Sequence, residues 1–449
     1  MTKNPKANRV IVNILAFIFL VGGSVAAIQY AKGYRPNLKD GSLQGSGLLS
    51  VTSYPKSARV MIDGKLTTVT DDKLYLSPGS YAIKIEKDGF HPWTKTVPLK
   101  SELVSNADAR LFPIINATSP LTFYQVGNAS VNPDGTKIAY VLTKSPVDTA
   151  NGLYIHALQG NLFSSQYIQI ADNATKDFTK ALLIWSPDST QILAVFTEKT
   201  LVPRSSKSEA GKTAEKVASA ILLSTKGINN IKNIDDVTLR LPLIISQWQD
   251  QYVKINQPTL ALYPRFLSDI LINKATNVFF SLDKEMVFYT PTTSLNLPEN
   301  EIGKALPNIN ATPETRVLEK DKTYLFDLKE GTNYQVSAAS NSADIKKIII
   351  TTPDATPSAS VASLKQLKAQ TESYTVGNLS WYSNSRQLIV TNQDGVNIVD
   401  YDGLNLTQIT YVQPLSGFVV SNPDGSRLVL LTNINQKADT FNLISFDLK

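Results

Sequence analysis

The chain has no cysteine among its 449 residues. That excludes a disulfide framework, a thiol nucleophile, a thiolate metal site and a lipid-modified N-terminal cysteine. There are only two histidines, His91 and His156, and no histidine pair stands at metal-ligand spacing. No G-x-S-x-G elbow and no glycine-rich phosphate loop occurs, so neither a hydrolase-type serine nor a nucleotide cradle is written in the chain. Charged residues are scarce at 18%, which leaves the polar surface to Asn, Ser, Thr and Gln, a habit of β-rich extracytoplasmic proteins. The net charge of +6 is half accounted for by Lys3, Lys6 and Arg9. No later segment gathers Lys and Arg with interleaved aromatics, as a nucleic-acid-binding face requires.

What is present begins with Val10 to Ile28, a run containing one amide and one Ser, long enough as a helix to span roughly 28 Å, close to a bilayer's hydrocarbon thickness. It reads as an uncleaved signal anchor spanning residues 10–30 behind a cytoplasmic tail of residues 1–9. The competing reading is a cleavable signal peptide, because Ser24-Val25-Ala26 and Val25-Ala26-Ala27 resemble cleavage sites. Basic residues flank both ends, so orientation rests on the short basic tail staying inside and the bulk lying outside the cytoplasmic membrane. Residues 31–47, including Gly33 to Gly47, are rich in Gly, Ser and Pro and read as a flexible tether.

Residues 48–100 carry strand signals. Tyr81, Ile83 and Ile85 alternate with Ala82, Lys84 and Glu86, the period of a half-buried strand. Asp63-Gly64 suits a tight hairpin because both residues tolerate positive φ, and Pro78-Gly79 supplies a second turn. The segments SYPKSARVMIDGK and LYLSPGSYAIKIEKDGFHPW resemble a PEGA domain, through Pro55, Ala58, Asp63, Gly64, Pro78, Gly79, Tyr81, Gly89 and Phe90. One loop departs from that family: Val69-Thr70-Asp71-Asp72 stands where Gly-x-Thr-Pro is usual. The resemblance implies a small β-sandwich and an extracytoplasmic, often envelope-associated module. Residues 101–117 read as a second linker.

From residue 118 to 449 a polar turn feeding an apolar run recurs: Val131 to Leu142, Trp185 to Phe196, Trp381 to Asn392 and Ser421 to Asn433, with a blurred copy at Phe280 to Tyr289. Each copy is followed by a second strand signature, as at Leu153 to Gly160, Ile221 to Gly227, Tyr324 to Gly331, Val396 to Gly403 and Leu443 to Lys449. Leu428 to Leu431 is apolar on both faces, which suits a strand sandwiched between sheets. A repeat of this kind makes a propeller blade, and the phrase resembles the WD40-like repeats of TolB-type proteins. Two wide gaps separate the copies, from about 187 to 282 and from 282 to 383, so the spacing allows five blades with insertions or seven with two degenerate ones. In the first gap, Leu260, Tyr263, Phe266, Leu267, Ile270 and Leu271 form a helical stripe, and we place a helical insertion at about 244–275. The second gap, Ser337 to Gln370, reads as a Pro/Ser/Ala-rich loop, and Arg204 to Ala220 as a polar insertion.

Candidate chemistry is sparse. His91 and His156 read as surface or packing residues. Asp71-Asp72 and Asp235-Asp236 are sequence neighbours, which point to opposite faces of a strand and cannot act as a convergent carboxylate pair. Asp134, Asp188 and Asp424 cap their own turns. Trp185 and Trp381 fall at blade-core positions, whereas Trp248, Tyr252 and Phe266 are the candidate binding surface. No residue set calls for a catalytic triad, a metal or a cofactor.

The expected fold is therefore all-β: an N-terminal transmembrane helix, a small PEGA-like sandwich, then a β-propeller of five to seven blades with a short helical insertion. The expected role is non-enzymatic binding or scaffolding at the cell membrane, with envelope protein or cell-wall glycan as partner. A propeller hydrolase or lyase acting on glycan or peptide is the alternative, and a sensor reporting through the anchor is a third reading.

Overall fold

The repeated polar phrase folds the same way at all five of its positions in the computed structural model of the chain. The structure describes residues 5–31, 34–37, 42–159, 167–201, 213–302, 313–336, 349, 351, 359–372, 375–376, 378–434 and 440–449. In every copy the turn joins two antiparallel strands in one register: Val131 faces Ile138, Trp185 faces Ile192, Phe280 faces Val287, Trp381 faces Leu388 and Ser421 faces Leu428. Asp134, Asp188, Asp283, Asn384 and Asp424 each accept the amide two residues on, at 3.0–3.1 Å. That is the side-chain-to-backbone bond that makes these residues good turn formers. The next residue takes positive φ, between 56° and 71°, at Gly135, Ser189, Lys284, Ser385 and Gly425. Two of those five are glycine, which holds this conformation freely.

The chain divides into two compact units, one covering Met1–Leu111 and the other Phe112–Leu306 with Glu314–Lys449. The first unit opens on helix α1, Pro5–Ala31, whose stretch Asn13–Tyr30 has a mean hydropathy of 1.7 and lies wholly unburied. Among the described residues one helix is thus long and apolar enough to cross a membrane. Within the segment expected to be a structureless tether, Tyr34–Asn37 pairs with Ser42–Gly45 as a hairpin.

The sandwich of the first unit has two sheets. Gly47–Tyr54 pairs antiparallel with Asp72–Leu76 and parallel with Val104–Arg110. The second sheet runs Lys65–Val69, Arg59–Ile62, Gly79–Glu86, Trp93–Leu99. Leu49, Val51, Val60, Ile83, Ile85, Trp93 and Val97 fill the space between them. Asp63 and Gly64 both take positive φ, 49° and 79°, as the hairpin requires. The strand Val104–Arg110 corrects the expected linker at 101–117. Its inward residues are Ser105, Ala107 and Ala109, too small to give an apolar alternation, and its partner lies about fifty residues earlier.

The second unit is a propeller-type array of sheets, each laid down as an antiparallel meander. The described residues form five of three or more strands, besides the two-stranded pairing of Leu295–Asn296 with Val317–Leu318. The first holds Gln125–Val131, Lys137–Thr143, Gly152–Ala157 and Tyr167–Asp172; the second Ala181–Trp185, Gln191–Leu201 and Thr213–Ser224. The third holds Ala275–Phe280, Met286–Pro291, Tyr324–Asp327 and Thr332–Gln335; the fourth runs from Thr375–Val376 through Leu379–Trp381, Gln387–Asn392 and Gly395–Asp400 to Thr407–Thr410. The fifth is built from both ends of the unit: Thr118–Pro120 pairs with Asn442–Asp447, which continues to Arg427–Thr432 and Val419–Ser421. The second strand of each sheet is buried on both faces. Leu428 and Leu430 pack toward the fourth sheet, while Val429 and Leu431 pack toward the first. Ala139 and Val141 pack toward the second sheet, and Trp381, Leu388 and Val390 toward the third.

The far face of the second sheet meets helices instead. Helix α2, Leu241–Leu260, and helix α3, Arg265–Asn273, occupy the wide gap before the third sheet. A single turn, α4, Glu299–Ile302, lies inside the third sheet's long excursion, and helix α5, Val361–Thr371, lies in the second gap. Ile184, Leu193 and Val195 of the second sheet pack on Leu241, Ile245, Trp248 and Val253 of α2 and on Leu364 and Leu367 of α5. Leu267, Ile270 and Leu271 of α3 pack on the third sheet. The helices of this insertion run from Leu241 to Asn273.

His156, in the third strand of the first sheet, is buried, and burial holds its imidazole below the ordinary value of 6.5. A depressed folded value means the unfolded chain takes up the proton first, so stability is full above about pH 7 and falls as pH drops through the imidazole range. Denaturation of the full chain in detergent, followed by tryptophan fluorescence at pH 7.5 and 5.5, should show a loss that His156→Gln reduces. An unchanged pH dependence in His156→Gln would contradict this.

Candidate functional site

The polar turns do more than reverse the chain, because hydrogen bonds join them across three of the seams between neighbouring sheets. The Asn132 amide donates to Ser189 Oγ at 3.0 Å, linking the first sheet to the second. Asn422 Nδ2 donates to the Leu158 carbonyl at 3.2 Å, linking the fifth to the first. The Ser383 amide donates to Ser421 Oγ at 3.2 Å and the Tyr382 hydroxyl to the Gly425 carbonyl at 2.5 Å, linking the fourth to the fifth. The Asp283 amide donates to Ser385 Oγ at 3.3 Å, linking the third to the fourth. A Cβ at Gly425 would stand 2.8 Å from Tyr382 Oη, so glycine is needed there for close approach as well as for its φ of 65°. Between the third and second sheets the helical insertion takes over, with Tyr263 Oη donating to the Lys284 carbonyl at 3.0 Å.

Inside this belt lies a cavity of about 420 Å³, within the range of small-molecule pockets. Its walls are strands of three sheets: Asn128 and Ala129 from the first, Ser380 and Trp381 from the fourth, and Val419 to Ser421 from the fifth. The turns at Asp134 and Pro423 stand at one end of those strands, and the loop Leu415 to Phe418 at the other, so the cavity follows the strands along their length. The second sheet contributes nothing to the lining. In its place stands the last turn of α5, with Lys368 and Glu372. Glu372 Oε1 accepts from Ser130 Oγ at 2.6 Å and lies 3.4 Å from Lys368 Nζ. Ser380 Oγ and Trp381 Nε1 are buried in the wall with no hydrogen-bond partner among the described residues.

The residues expected to form a binding surface lie elsewhere. Trp248 and Tyr252 are 5% and 6% exposed, packed between α2 and the second sheet. Phe266 is half-buried on α3 against the core of the third sheet. The three are not brought together, because a helix that replaces a sheet neighbour must bury its aromatic stripe. Trp185 and Trp381 are core residues, as their position in the repeat indicates. Asp72 and Asp236 are held below the ordinary carboxylate value by the Thr68 and Thr238 hydroxyls beside them. Among the described residues, the Asp327 carboxyl is pushed upward: it is fully buried, and burial opposes the pull of the Glu330 and Lys329 amides and of Arg386 at 3.5 Å. It ties the third sheet to the fourth and does not line the cavity. Among the described residues no three metal-ligating side chains converge.

The cavity was missed because its polar wall residues are dispersed over four segments. Helix α5 was legible in principle: Val361, Leu364, Leu367 and Thr371 are its buried positions at near-helical spacing, inside a stretch whose Pro, Ser and Ala content pointed to a loop.

Comparison with known proteins adds the following. Residues 46–114 match the model of the PEGA domain, and that module is therefore present in the chain. No curated protein sequence matches. Among solved structures, TolB from Agrobacterium tumefaciens matches at 12% identity over 71% of this chain and 73% of that one, with a TM-score of 0.19. TolB from Acinetobacter baumannii matches at 11% over 82% and 60%, with a TM-score of 0.21. An acylaminoacyl peptidase from Pyrococcus horikoshii matches at 9% over 86% of this chain and 42% of that one, with a TM-score of 0.17. Scores this low carry no argument, and the fold rests on sheet order and register.

Trp248→Ala should cost about 3–5 kcal/mol of stability in the second unit, the range for removing a large buried aromatic. Urea titration checks it. A loss under about 0.5 kcal/mol, the usual effect of a surface substitution, would return Trp248 to the surface.

Proposed function

We propose that the chain is a membrane-anchored, extracytoplasmic binding or scaffolding protein of the cell envelope, which recognises protein or cell-wall glycan through the cavity at the centre of its sheet array. The observation that carries this reading is the convergence of strands from three sheets and one helix end on a cavity of about 420 Å³. Two features support the location: the apolar helix α1 ahead of the folded units and the PEGA module beside it. The cavity's groups favour binding. Of its carboxylates, Asp134 is engaged with its own turn and Glu372 with Ser130 and Lys368, and catalysis by a carboxylate pair asks instead for one group freed to hold a proton. Sheet edges, hydroxyls and a few apolar side chains are the furniture of a recognition site.

The full chain in lipid nanodiscs, exposed to solubilised envelope material, should retain a defined protein or glycan. Ala129→Phe, which fills the cavity from the first sheet, should reduce that retention at least tenfold. Retention of nothing, or equal retention by both proteins, would overturn the proposal.

A further inference from the structure

We infer that the PEGA sandwich is seated on the bilayer surface through one apolar end, built from Leu48, Tyr75, Leu103 and Val104. This rests on reading α1 as a membrane anchor, and adds the surface that the first folded module presents to lipid.

The place of that end follows from how the chain leaves α1. As a helix, Asn13–Tyr30 rises about 27 Å, close to the hydrocarbon thickness of a bilayer, and none of it is buried in protein. Tyr30, exposed at its end, falls at the depth where tyrosines settle, ring in the apolar layer and hydroxyl among headgroups. From Ala31 to Tyr34 the chain can reach no more than about 11 Å. Tyr34 opens the hairpin with Ser42–Gly45, and that hairpin is fastened to the turn of the sandwich at Lys100 to Leu103. The Tyr34 hydroxyl donates to the Glu102 carboxylate. The Glu102 amide donates to the Ser46 carbonyl at 3.1 Å, and the Leu48 amide to the Leu103 carbonyl at 3.0 Å. A Cβ at Gly45 would overlap the Ser101 hydroxyl, so hairpin and turn are in contact. The turn is thereby tied close to where the span leaves the lipid.

The outward face of the sheet that begins at this turn changes character along its strands. Its first row, Tyr75, Leu48 and Val104, lies in register across three strands. Tyr75 and Val104 are exposed, as is Leu103 beside them, and Leu48 is half-buried. The next rows are polar: Lys73, Ser50 and Asn106, then Thr52, which donates to Asp108 at 2.8 Å. At the far end Tyr54 carries the Arg110 guanidinium over its ring at 4.0 Å. The core of the sandwich is filled by the alternate residues, Leu49, Val51 and Ala107 among them, so it does not require an outward apolar row. That row stands only beside the span, which is where lipid meets the module and where a protein partner has no particular reason to bind. Lys100, exposed in the same turn, adds a cation at headgroup level.

The absence of cysteine lets a single introduced thiol carry an environment-sensitive fluorophore. In the full chain, held in nanodiscs of phosphatidylcholine and phosphatidylglycerol, a label at Val104→Cys should emit at shorter wavelength than in water and lose intensity when nitroxide lipid is included. A label at Tyr75→Cys, on a neighbouring strand, should behave alike and decides the matter if the first variant does not fold. A label at Lys56→Cys lies past the far end of Gly47–Tyr54, roughly 23 Å from the seat, and should show neither effect. Ser24→Cys, inside α1, reports the anchor alone. Quenching at Ser24 with none at Val104 and Tyr75 would overturn the seat and leave the anchor standing. Equal quenching at Lys56 and Val104 would overturn the seat as well, as would a shift to shorter wavelength without nitroxide quenching, which would mean that protein covers the row. No quenching at Ser24 would remove anchor and seat together.

Discussion

The second unit depends on hydrogen bonds that run from one polar turn to the next. A stack of sheets held by apolar faces alone can slide, since burial is non-directional. The bonds from Asn132 to Ser189, Ser383 to Ser421 and Asp283 to Ser385 fix each sheet's height against its neighbour. They work only because every turn has the same register and a positive-φ residue at the same position. Repetition of the phrase is therefore a geometric requirement: a turn of another shape would aim its donor away from the next sheet.

The belt is incomplete at one seam, and that seam is where the molecule's individual character lies. Between the second and third sheets there is helix in place of a turn-to-turn bond. Helix α2 covers the second sheet and α3 covers the third, with Tyr263 reaching the Lys284 carbonyl. Helix α5 completes the arrangement from inside, presenting Lys368 and Glu372 to the cavity. A wall made of sheet edges is rigid because each strand is bonded on its outer side. The end of α5 adds Lys368 and Glu372 to a wall otherwise made of strands, turns and the loop Leu415 to Phe418.

Much of the fold was legible from residue patterns. The turn phrase, including its blurred copy at Phe280 to Tyr289, located one hairpin in each of these five sheets, and the double-faced apolar run at Leu428 to Leu431 identified a sandwiched strand. Asp63-Gly64 gave the tight hairpin of the sandwich. Signals failed where burial involves small or polar side chains. The strand Val104–Arg110 buries Ser105, Ala107 and Ala109, and no hydrophobic alternation marks it. Trp248 and Tyr252 failed for the opposite reason: their polar neighbours in SQWQDQY resemble a surface, while one face of α2 replaces a sheet and is buried. The cavity was illegible because it is a property of three strands and one helix end meeting, each unremarkable alone.

The account's central claim is that the turns are coupled across sheets, and a double-mutant cycle on Asn132 and Ser189 tests it most directly. Urea denaturation of the full chain in detergent, with Asn132→Ala, Ser189→Ala and both together, isolates the pair term. The account predicts a coupling of about 1 kcal/mol, the usual net value of one buried hydrogen bond. Additive effects, with coupling within about 0.3 kcal/mol of zero, would mean that the turns only reverse the chain and that apolar packing alone sets the order of the sheets.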